Sequence, residues 1–222
     1  MDLLYLLYNY YTMQILNVIK ENRILQLIVA ENLKFNKALS APYHNFYHQL
    51  VVANSCLEAA EYYKLDERPK LELIVAALFH DFNHSMGKYK DDINVELATY
   101  YFRCWYAEKN LSNGDLNQGA VVDIIQATQY PYVIEHDKLT LQQKIIRDAD
   151  LTQLMQANRI GQVYIGLATE MNLPIEAILE GEKAFLESVV PCTEWFLQKW
   201  APAKQNVINE CADLLSYVNL IK

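Results

Sequence analysis

The sequence predicts an all-α protein, a single multi-helix bundle, and three observations lead to this prediction. Apolar residues recur at helical spacing along almost the whole chain. No run between turn signals shows the apolar–polar alternation of a half-buried strand. The six prolines and six glycines fall mostly between the periodic segments. Since 52% of the 222 residues are hydrophobic, we expect one domain, residues 1–222, around one large core.

The first helix is predicted over residues 1–19, which are apolar and rich in tyrosine. The segment lacks a basic start and a small-residue cleavage site, so it is not predicted to be a signal peptide. Polar residues interrupt it too often for a membrane span. Its apolar spacing is typical of an amphipathic helix that packs on a core. The residues on this stripe are Leu4, Tyr8, Tyr11, Ile15 and Val18.

Helices two to five are separated by prolines and polar turns. The second stops before Pro42, the third follows, and Pro69 begins the fourth, which ends at a His-Asp pair. Asp91 or Asp92 can cap the fifth with a side-chain oxygen. The second, third and fifth helices are predicted over residues 23–39, 45–65 and 91–108.

The second half of the chain continues the helical pattern. The sixth helix is predicted to reach residue 130, and the seventh covers roughly 140–149. Gly161 and Gly166 weaken the eighth helix, and Pro174 starts the next one. Pro191 and Pro202 mark a bend and a restart before a last helix that ends near residue 221. The total is about nine to eleven helices.

Composition limits the partners that the surface can attract. Nineteen basic and 27 acidic residues give a net charge of −8, so we expect neither a nucleic-acid polymer nor a membrane as partner. Lys88, Lys90 and Arg147 are expected to be solvated surface charges. The four cysteines are widely spaced without a Cys-x-x-Cys pair, which indicates reduced thiols and a cytoplasmic protein.

Four of the five histidines fall in two short clusters. His44 and His48 are one helical turn apart, and so are His80 and His84, whereas His136 stands alone. A pair at this spacing can serve one site, as two ligands or as a ligand and a proton donor. Taken alone, such pairs are weak evidence for a site.

Two aspartates extend these clusters. Asp81 follows His80 at the end of a long apolar run, where a buried carboxylate needs a partner, and a divalent cation is the simplest one. The alternative is a histidine near the helix dipole beside a solvated carboxylate. Asp150 lies within an apolar pattern and is expected to point inward, although helix capping is the common role of such a residue.

The order of these His and Asp clusters along the chain resembles the HD-domain superfamily of metal-dependent phosphohydrolases. Within that superfamily, the sequence is most similar to the catalytic domain of class I cyclic nucleotide phosphodiesterases. The matching segments lie between residues 43 and 191 and follow the family's order. They are Tyr43-His44-Asn45-x-x-His48, His80-Asp81-x-x-His84, Asn94-Val95-Glu96-Leu97-Ala98, Ala127-Thr128 and Ala149-Asp150-Leu151-Thr152.

The resemblance implies a centre of two divalent ions. The first would be zinc, or iron or manganese in its place, and a carboxylate would bridge to a second ion, magnesium or manganese. Two nitrogens and two carboxylates suit such ions and leave positions open for water. The implied ligands of the first ion are His48, His80, Asp81 and Asp150, with Asp81 as the bridge.

The resemblance also implies a reaction. Metal-bound water would lose a proton and attack phosphorus, while His44 protonates the departing oxygen and His84 and Glu96 orient the water. The implied substrate is a small nucleotide phosphoester, above all a 3′,5′-cyclic nucleotide phosphodiester. A nucleoside monophosphate or another nucleotide is the alternative.

The implied substrate pocket departs from the family's pattern. The family reads a purine with a glutamine and stacks a phenylalanine on it, and alignment places Glu182 and Phe185 there. A carboxylate accepts hydrogen bonds but does not donate them, so it cannot reproduce the amide's two-way pairing. Tyr43, next to the first histidine, is the third candidate substrate contact.

Two other functions fit parts of the pattern. Some HD-domain proteins are di-iron oxygenases, but these need further histidine ligands, and only His136 lies between His84 and Asp150. A helical binding module without activity is the non-enzymatic alternative. Such a module would be expected to lose ligands, whereas all of them are present in this chain.

Overall fold

The computed structural model describes residues 14–112 and 114–220, and the predicted all-α fold is confirmed. Ten α-helices pack into a bundle, and these residues contain no strand. A 3₁₀ turn precedes α7, and a second 3₁₀ turn and a π-helical turn join α7 to α8. The helices are α1 (Ile15–Glu21), α2 (Arg23–Phe35), α3 (Phe46–Tyr62), α4 (Glu67–Phe79), α5 (Asp91–Glu108), α6 (Gln118–Gln126), α7 (Leu141–Asp150), α8 (Ile165–Met171), α9 (Ile175–Ser188) and α10 (Glu194–Leu220).

The central helix of the bundle is α4. It contacts α2, α3, α5, α6 and α7, and every side chain in residues 73–79 is buried. A helix covered on all sides must be apolar all round, which explains the continuous apolar run before the His-Asp pair. Burial of each large apolar side chain contributes about 1.5–3 kcal/mol, so the end of α4 is firmly held.

Buried apolar side chains from α1 to α10 form one connected cluster. It extends from Ile15, which is fully buried, to Trp200 and Cys211 in the last helix. Leu4, Tyr8 and Tyr11 of the predicted first helix lie outside the described residues. In the described part of the chain, no helix combines the length and apolar character that crossing a bilayer requires.

Side-chain caps fix where the two site-bearing helices α3 and α7 begin. Asn45 Oδ1 accepts a hydrogen bond from the backbone N–H of His48 at 3.0 Å. At α7, Thr140 accepts from the N–H of Gln143, whose side chain accepts from the N–H of Thr140. Each such cap stabilises a helix start by about 1 kcal/mol.

The predicted boundaries at residue 39 and at Pro202 are wrong for identifiable reasons. α2 ends at Phe35 rather than at residue 39, because the Asn36 side chain accepts backbone N–H groups of two loop residues and turns the chain. Pro202 lies inside α10 instead of separating two helices. Since Pro202 is exposed, the carbonyl that loses its intrahelical partner can hydrogen-bond to water.

Arg147 is buried, contrary to the prediction of a solvated charge, whereas Lys88 and Lys90 are exposed as predicted. Arg147 Nε donates to the Ala127 carbonyl oxygen at 2.7 Å, and the Arg147 guanidinium lies 4.2 Å from the ring centroid of Tyr132. α6 ends at residue 126 rather than at 130, and the N–H groups of residues 127–129 bond carbonyl oxygens three residues back instead of four.

The weak eighth helix predicted from the glycines is divided into a π-helical turn, Ile160–Tyr164, and the short α8. Gly166 of α8 lies against the loop before α3, where an added Cβ would be 2.9 Å from the Pro42 carbonyl oxygen. Gly161 has open space around it. Gly166 therefore permits a close approach that any side chain would prevent.

Candidate metal centre

The four predicted ligands of the first ion meet where α3, α4 and α7 converge. His48 lies in the first turn of α3, His80 and Asp81 directly follow α4, and Asp150 ends α7. The Nε2 atoms of the two histidines are 3.3 Å apart. Asp81 Oδ2 is 3.3 Å from His48 Nε2 and 3.1 Å from His80 Nε2. Asp150 Oδ1 lies 2.9 Å and 3.6 Å from the same two nitrogens.

These spacings suit ligand atoms around one small divalent ion. With metal–ligand bonds of about 2.0–2.1 Å, neighbouring ligand atoms are about 3.0 Å apart in an octahedron and about 3.4 Å apart in a tetrahedron. The distances between the nitrogen and oxygen atoms, 2.9 to 3.6 Å, bracket both values. His48, His80 and Asp150 lie close enough together to hold one ion, and Asp81 Oδ2 lies within 3.3 Å of both histidine nitrogens.

Hydrogen bonds at the far side of the two rings aim their lone pairs at the cluster. His48 Nδ1 lies 2.8 Å from Gln153 Oε1, and His80 Nδ1 lies 2.8 Å from the Ala77 carbonyl oxygen. Both oxygens are acceptors, so each Nδ1 carries the hydrogen and each neutral ring has its lone pair at Nε2. Metal-binding histidines are typically held in this way.

The cluster concentrates hydrogen-bond acceptors without matching donors. Asp81 Oδ2 is buried and has no hydrogen-bond partner among the described residues. Burial alone would raise the pKa of Asp81 and Asp150, but the neighbouring histidines hold the pKa of both carboxyls below the usual range. Burial lowers the pKa of His80, yet the two carboxylates raise it well above its usual value. A proton or a cation is needed here, and the distances fit a divalent cation.

His44, Asp81 and His84 form a second group beside the first. One nitrogen or oxygen atom from each lies within 4.8 Å of the others. The rings of His44 and His84 are stacked, with centroids 3.8 Å apart. Asp81 belongs to the second group and its Oδ2 also contacts both histidines of the first, so it connects the two groups.

Glu170 of α8 binds both histidines of the second group. Its Oε1 lies 2.5 Å from His44 Nδ1 and 3.2 Å from His84 Nδ1. Its Oε2 accepts from the backbone N–H groups of Tyr43 at 3.0 Å and of His44 at 3.1 Å. Burial raises the pKa of Glu170, but the hydrogen bonds to the two histidines hold that pKa below the usual range. Glu170 is therefore ionised and orients both rings.

The two histidines of this group differ in which of their ring nitrogens have protein partners. His84 has neighbours at both nitrogens: Asn94 Nδ2 lies 2.9 Å from Nε2, and Glu170 Oε1 lies 3.2 Å from Nδ1. These contacts fix the orientation of its ring. Glu170 Oε1 lies 2.5 Å from His44 Nδ1, the His44 side chain is 20% exposed, and it lines a cavity of about 460 Å³. Its Nε2 has no protein partner in the described chain and can meet a ligand.

Glu96 does not reach the predicted place, and its side chain is exposed. Residues two apart on a helix point about 200° away from each other, and Asn94 faces the site from α5. Asn94 contacts His84, while the carboxylate expected from Glu96 is supplied by Glu170. The assignment of Glu96 is therefore corrected.

A cavity of about 460 Å³ adjoins both groups and is large enough for a small molecule. Tyr43, Glu182 and Phe185, the three predicted substrate contacts, all line it. No Lys or Arg lines this cavity in residues 14–112 and 114–220. Its acidic lining consists of Asp91, Asp150, Glu170 and Glu182, and its aromatic lining of Tyr43, Tyr89, Tyr130, Tyr132 and Phe185.

His136 does not line this cavity; it lines an adjoining one that shares Tyr130, Tyr132, Leu151 and Phe185 with the first. It is exposed in the 3₁₀ turn His136–Lys138, and Arg147 also lines the adjoining cavity. It therefore adds no ligand to either group.

No family model matches the chain, and no curated protein matches it either.

Proposed function

We propose that the protein is a metal-dependent phosphohydrolase of nucleotide-type phosphoesters, with a 3′,5′-cyclic nucleotide phosphodiester as the leading substrate. The observation that supports it most strongly is the convergence of two imidazole lone pairs and two carboxylates on one point. The order of the sequence motifs, which resembles HD-domain phosphohydrolases, supports it independently.

The donor set fits two divalent ions. His48, His80, Asp81 and Asp150 would hold a zinc-type ion, or iron or manganese in its place. Asp81 would bridge to magnesium or manganese near the second group. When bound, such ions polarise phosphoryl oxygens and make water acidic near neutral pH.

His44 is placed to protonate the departing oxygen. Glu170 accepts from its Nδ1 and stabilises the imidazolium, whose second hydrogen is then at Nε2, the nitrogen without a protein partner. His84 stacks on the ring and contacts the same carboxylate oxygen. A proton delivered from Nε2 leaves a neutral ring with its lone pair at that nitrogen.

The cavity favours a diester over a monoester. A phosphodiester has one negative charge, whereas a monoester has about 1.5 to 2 at neutral pH. Since no Lys or Arg lines the cavity in the described chain, any charge beyond what the ions neutralise would face the acidic lining. Nucleoside monophosphates and other nucleotides are therefore second candidates.

A di-iron oxygenase is disfavoured by the position of His136. The extra histidine that this chemistry requires would have to come from a residue that lines a different cavity.

The experiment is a phosphoester panel with reconstituted metal. We expect hydrolysis of cyclic nucleotides and bis(p-nitrophenyl) phosphate with manganese, zinc or magnesium, and its loss with a chelator. Asp150→Asn should lower the rate by about 100-fold or more, because the variant loses a charged ligand. The exposed Asp123→Asn on α6 is the matched control and should retain the rate. Absence of hydrolysis with every metal and substrate, or hydrolysis that needs no metal, would overturn the proposal.

A further inference from the structure

Glu182 differs from the other carboxylates of the cavity in having no partner. Its Oε2 is buried without a hydrogen-bond partner in the described chain. The other three are engaged within the protein, whereas the partly buried Glu182 side chain lines the cavity without a partner, so a donor group of a ligand can pair with it. Asp150 contacts His48 at 2.9 Å, Glu170 contacts His44 at 2.5 Å, and Asp91 accepts from the Tyr130 backbone N–H at 2.6 Å.

Aromatic rings lie beside this carboxylate. Phe185 follows Glu182 by three residues on α9, so the two project from the same side of the helix. The Phe185 ring packs edge-on against Tyr130 at 5.6 Å, and Tyr130 packs against Tyr132 at 5.5 Å. All of these residues line the cavity, and such surfaces favour stacking of a flat heterocycle.

Asp150 of the first group and Glu182 line the same cavity of about 460 Å³, so one small ligand can contact both. Burial raises the pKa of the Tyr43 hydroxyl, and the charges of Asp150 and Glu182 raise this pKa further. Both carboxylates therefore act on the same phenol, and both line the same cavity.

The chemistry of a carboxylate restricts the heterocycle. An ionised carboxylate only accepts hydrogen bonds, so its ligand must donate them. Guanine presents two adjacent donors, its N1–H and its 2-amino group. Adenine and cytosine present an amino group next to an acceptor nitrogen, and uracil presents one N–H between two carbonyl groups. An acceptor opposite a carboxylate is repelled, so guanine fits best.

We propose that Glu182 selects guanine nucleotides over adenine nucleotides by accepting hydrogen bonds from N1–H and the 2-amino group. The inference rests on the proposed function, because it takes the phosphorus of a nucleotide to lie at the metal cluster. It gives a role in ligand recognition to a carboxylate that has no hydrogen-bond partner at Oε2 within the described chain.

The selectivity has a pH dependence of definite sign. Burial raises the pKa of Glu182 to about 7, so its acceptor-only form increases as the pH rises through that value. A protonated carboxyl has one donor and one acceptor and pairs well with adenine. Tyr43, Tyr164 and Cys211 face Glu182 from the loop before α3, the π-helical turn and α10. Burial raises the pKa of all three above their usual values, so they stay neutral over this range.

The test compares kcat/KM for 3′,5′-cyclic GMP and 3′,5′-cyclic AMP with manganese at about pH 6 and about pH 8.5. Titration of the metal chemistry affects both substrates alike and cancels in the ratio. We expect cyclic GMP to be preferred by about tenfold or more at the higher pH and by less at the lower pH. Glu182→Gln should remove most of the preference and its pH dependence. Glu180→Gln, an exposed residue on the same helix, should retain both.

The outcomes separate this inference from the proposed function. An equal or adenine-favouring ratio at the higher pH, or an unchanged ratio in Glu182→Gln, overturns the role of Glu182 while the activity stands. Cleavage of bis(p-nitrophenyl) phosphate without cleavage of either cyclic nucleotide also overturns it and leaves metal-dependent hydrolysis intact. Absence of hydrolysis of all three compounds overturns both.

Discussion

Glu170 orients the rings of His44 and His84, and in the proposed reaction it would act only through them. Gln at this position would retain acceptor contacts to the backbone N–H groups of Tyr43 and His44. It would lack the negative charge that stabilises the imidazolium of His44. The effect of this charge depends on how much the departing oxygen needs a proton.

Glu170→Gln should lower kcat for a cyclic nucleotide by about 100-fold, since its leaving alkoxide is strongly basic and requires general acid catalysis. The loss should be much smaller for bis(p-nitrophenyl) phosphate, because p-nitrophenolate departs without a proton. The measurement is the ratio of the two losses at constant metal loading. An equal loss on both substrates would show that Glu170 has only a structural role, and no loss would remove it from the mechanism.

The site residues differ in how far the sequence could predict them. His48, His80, Asp81 and Asp150 were predictable because they lie in short motifs of distinctive residue types. Glu170 was not, since it contacts His44 across 126 positions and no motif surrounds it. Glu96 was wrongly assigned because a motif match does not establish which side of α5 faces the site. Gln153 could have been found as a polar residue in the apolar segment directly after Asp150.

At the scale of the elements, α8 delivers Glu170 to the site, and Gly166 determines how closely it packs. The two residues are four apart and share one side of the helix. An added Cβ at Gly166 would lie 2.9 Å from the backbone oxygen of Pro42, directly before Tyr43 and His44. A displacement of α8 at this point therefore also moves the carboxylate away from His44.

Gly166→Ala should lower stability by about 1–3 kcal/mol through overpacking, and the melting temperature by several degrees. The same displacement should lower kcat for cyclic nucleotides as Glu170→Gln does. Thermal unfolding and steady-state kinetics on one preparation measure both effects. Gly161→Ala is the matched control, since nothing lies within 4 Å of its added Cβ. Equal behaviour of the two variants would contradict the close packing of α8.

The extent of the helices was predictable where local signals decide it. The fifth helix was predicted over 91–108 and observed as Asp91–Glu108, and Thr140 caps α7 as its position suggests. The end of α6 was not predictable from periodicity, because the chain tightens after residue 126 into bonds between residues three apart. A helix boundary was also predicted at Pro202 from local propensity, and this prediction is wrong. α10 continues through Pro202, because the tertiary contacts of α10 outweigh one lost hydrogen bond.

At the scale of the whole molecule, the core is what brings the ligands together. His48 contacts Gln153 across 105 positions, and α3 packs against both α4 and α7. The apolar burial of α4 holds His80 and Asp81 in place against α3 and α7. This burial is needed because, without a cation, the acceptor atoms of the four clustered side chains repel one another. The net charge of −8 further favours the approach of cations to the molecule.

Anomalous diffraction from crystals soaked with manganese or zinc tests the central claim most directly. A peak is expected at about 2.0–2.2 Å from His48 Nε2, His80 Nε2 and the carboxylate oxygens of Asp81 and Asp150. It should be absent at that position in Asp150→Asn crystals soaked in the same way. Saturating metal without a peak among these four side chains, or with peaks only elsewhere on the molecule, would contradict the account.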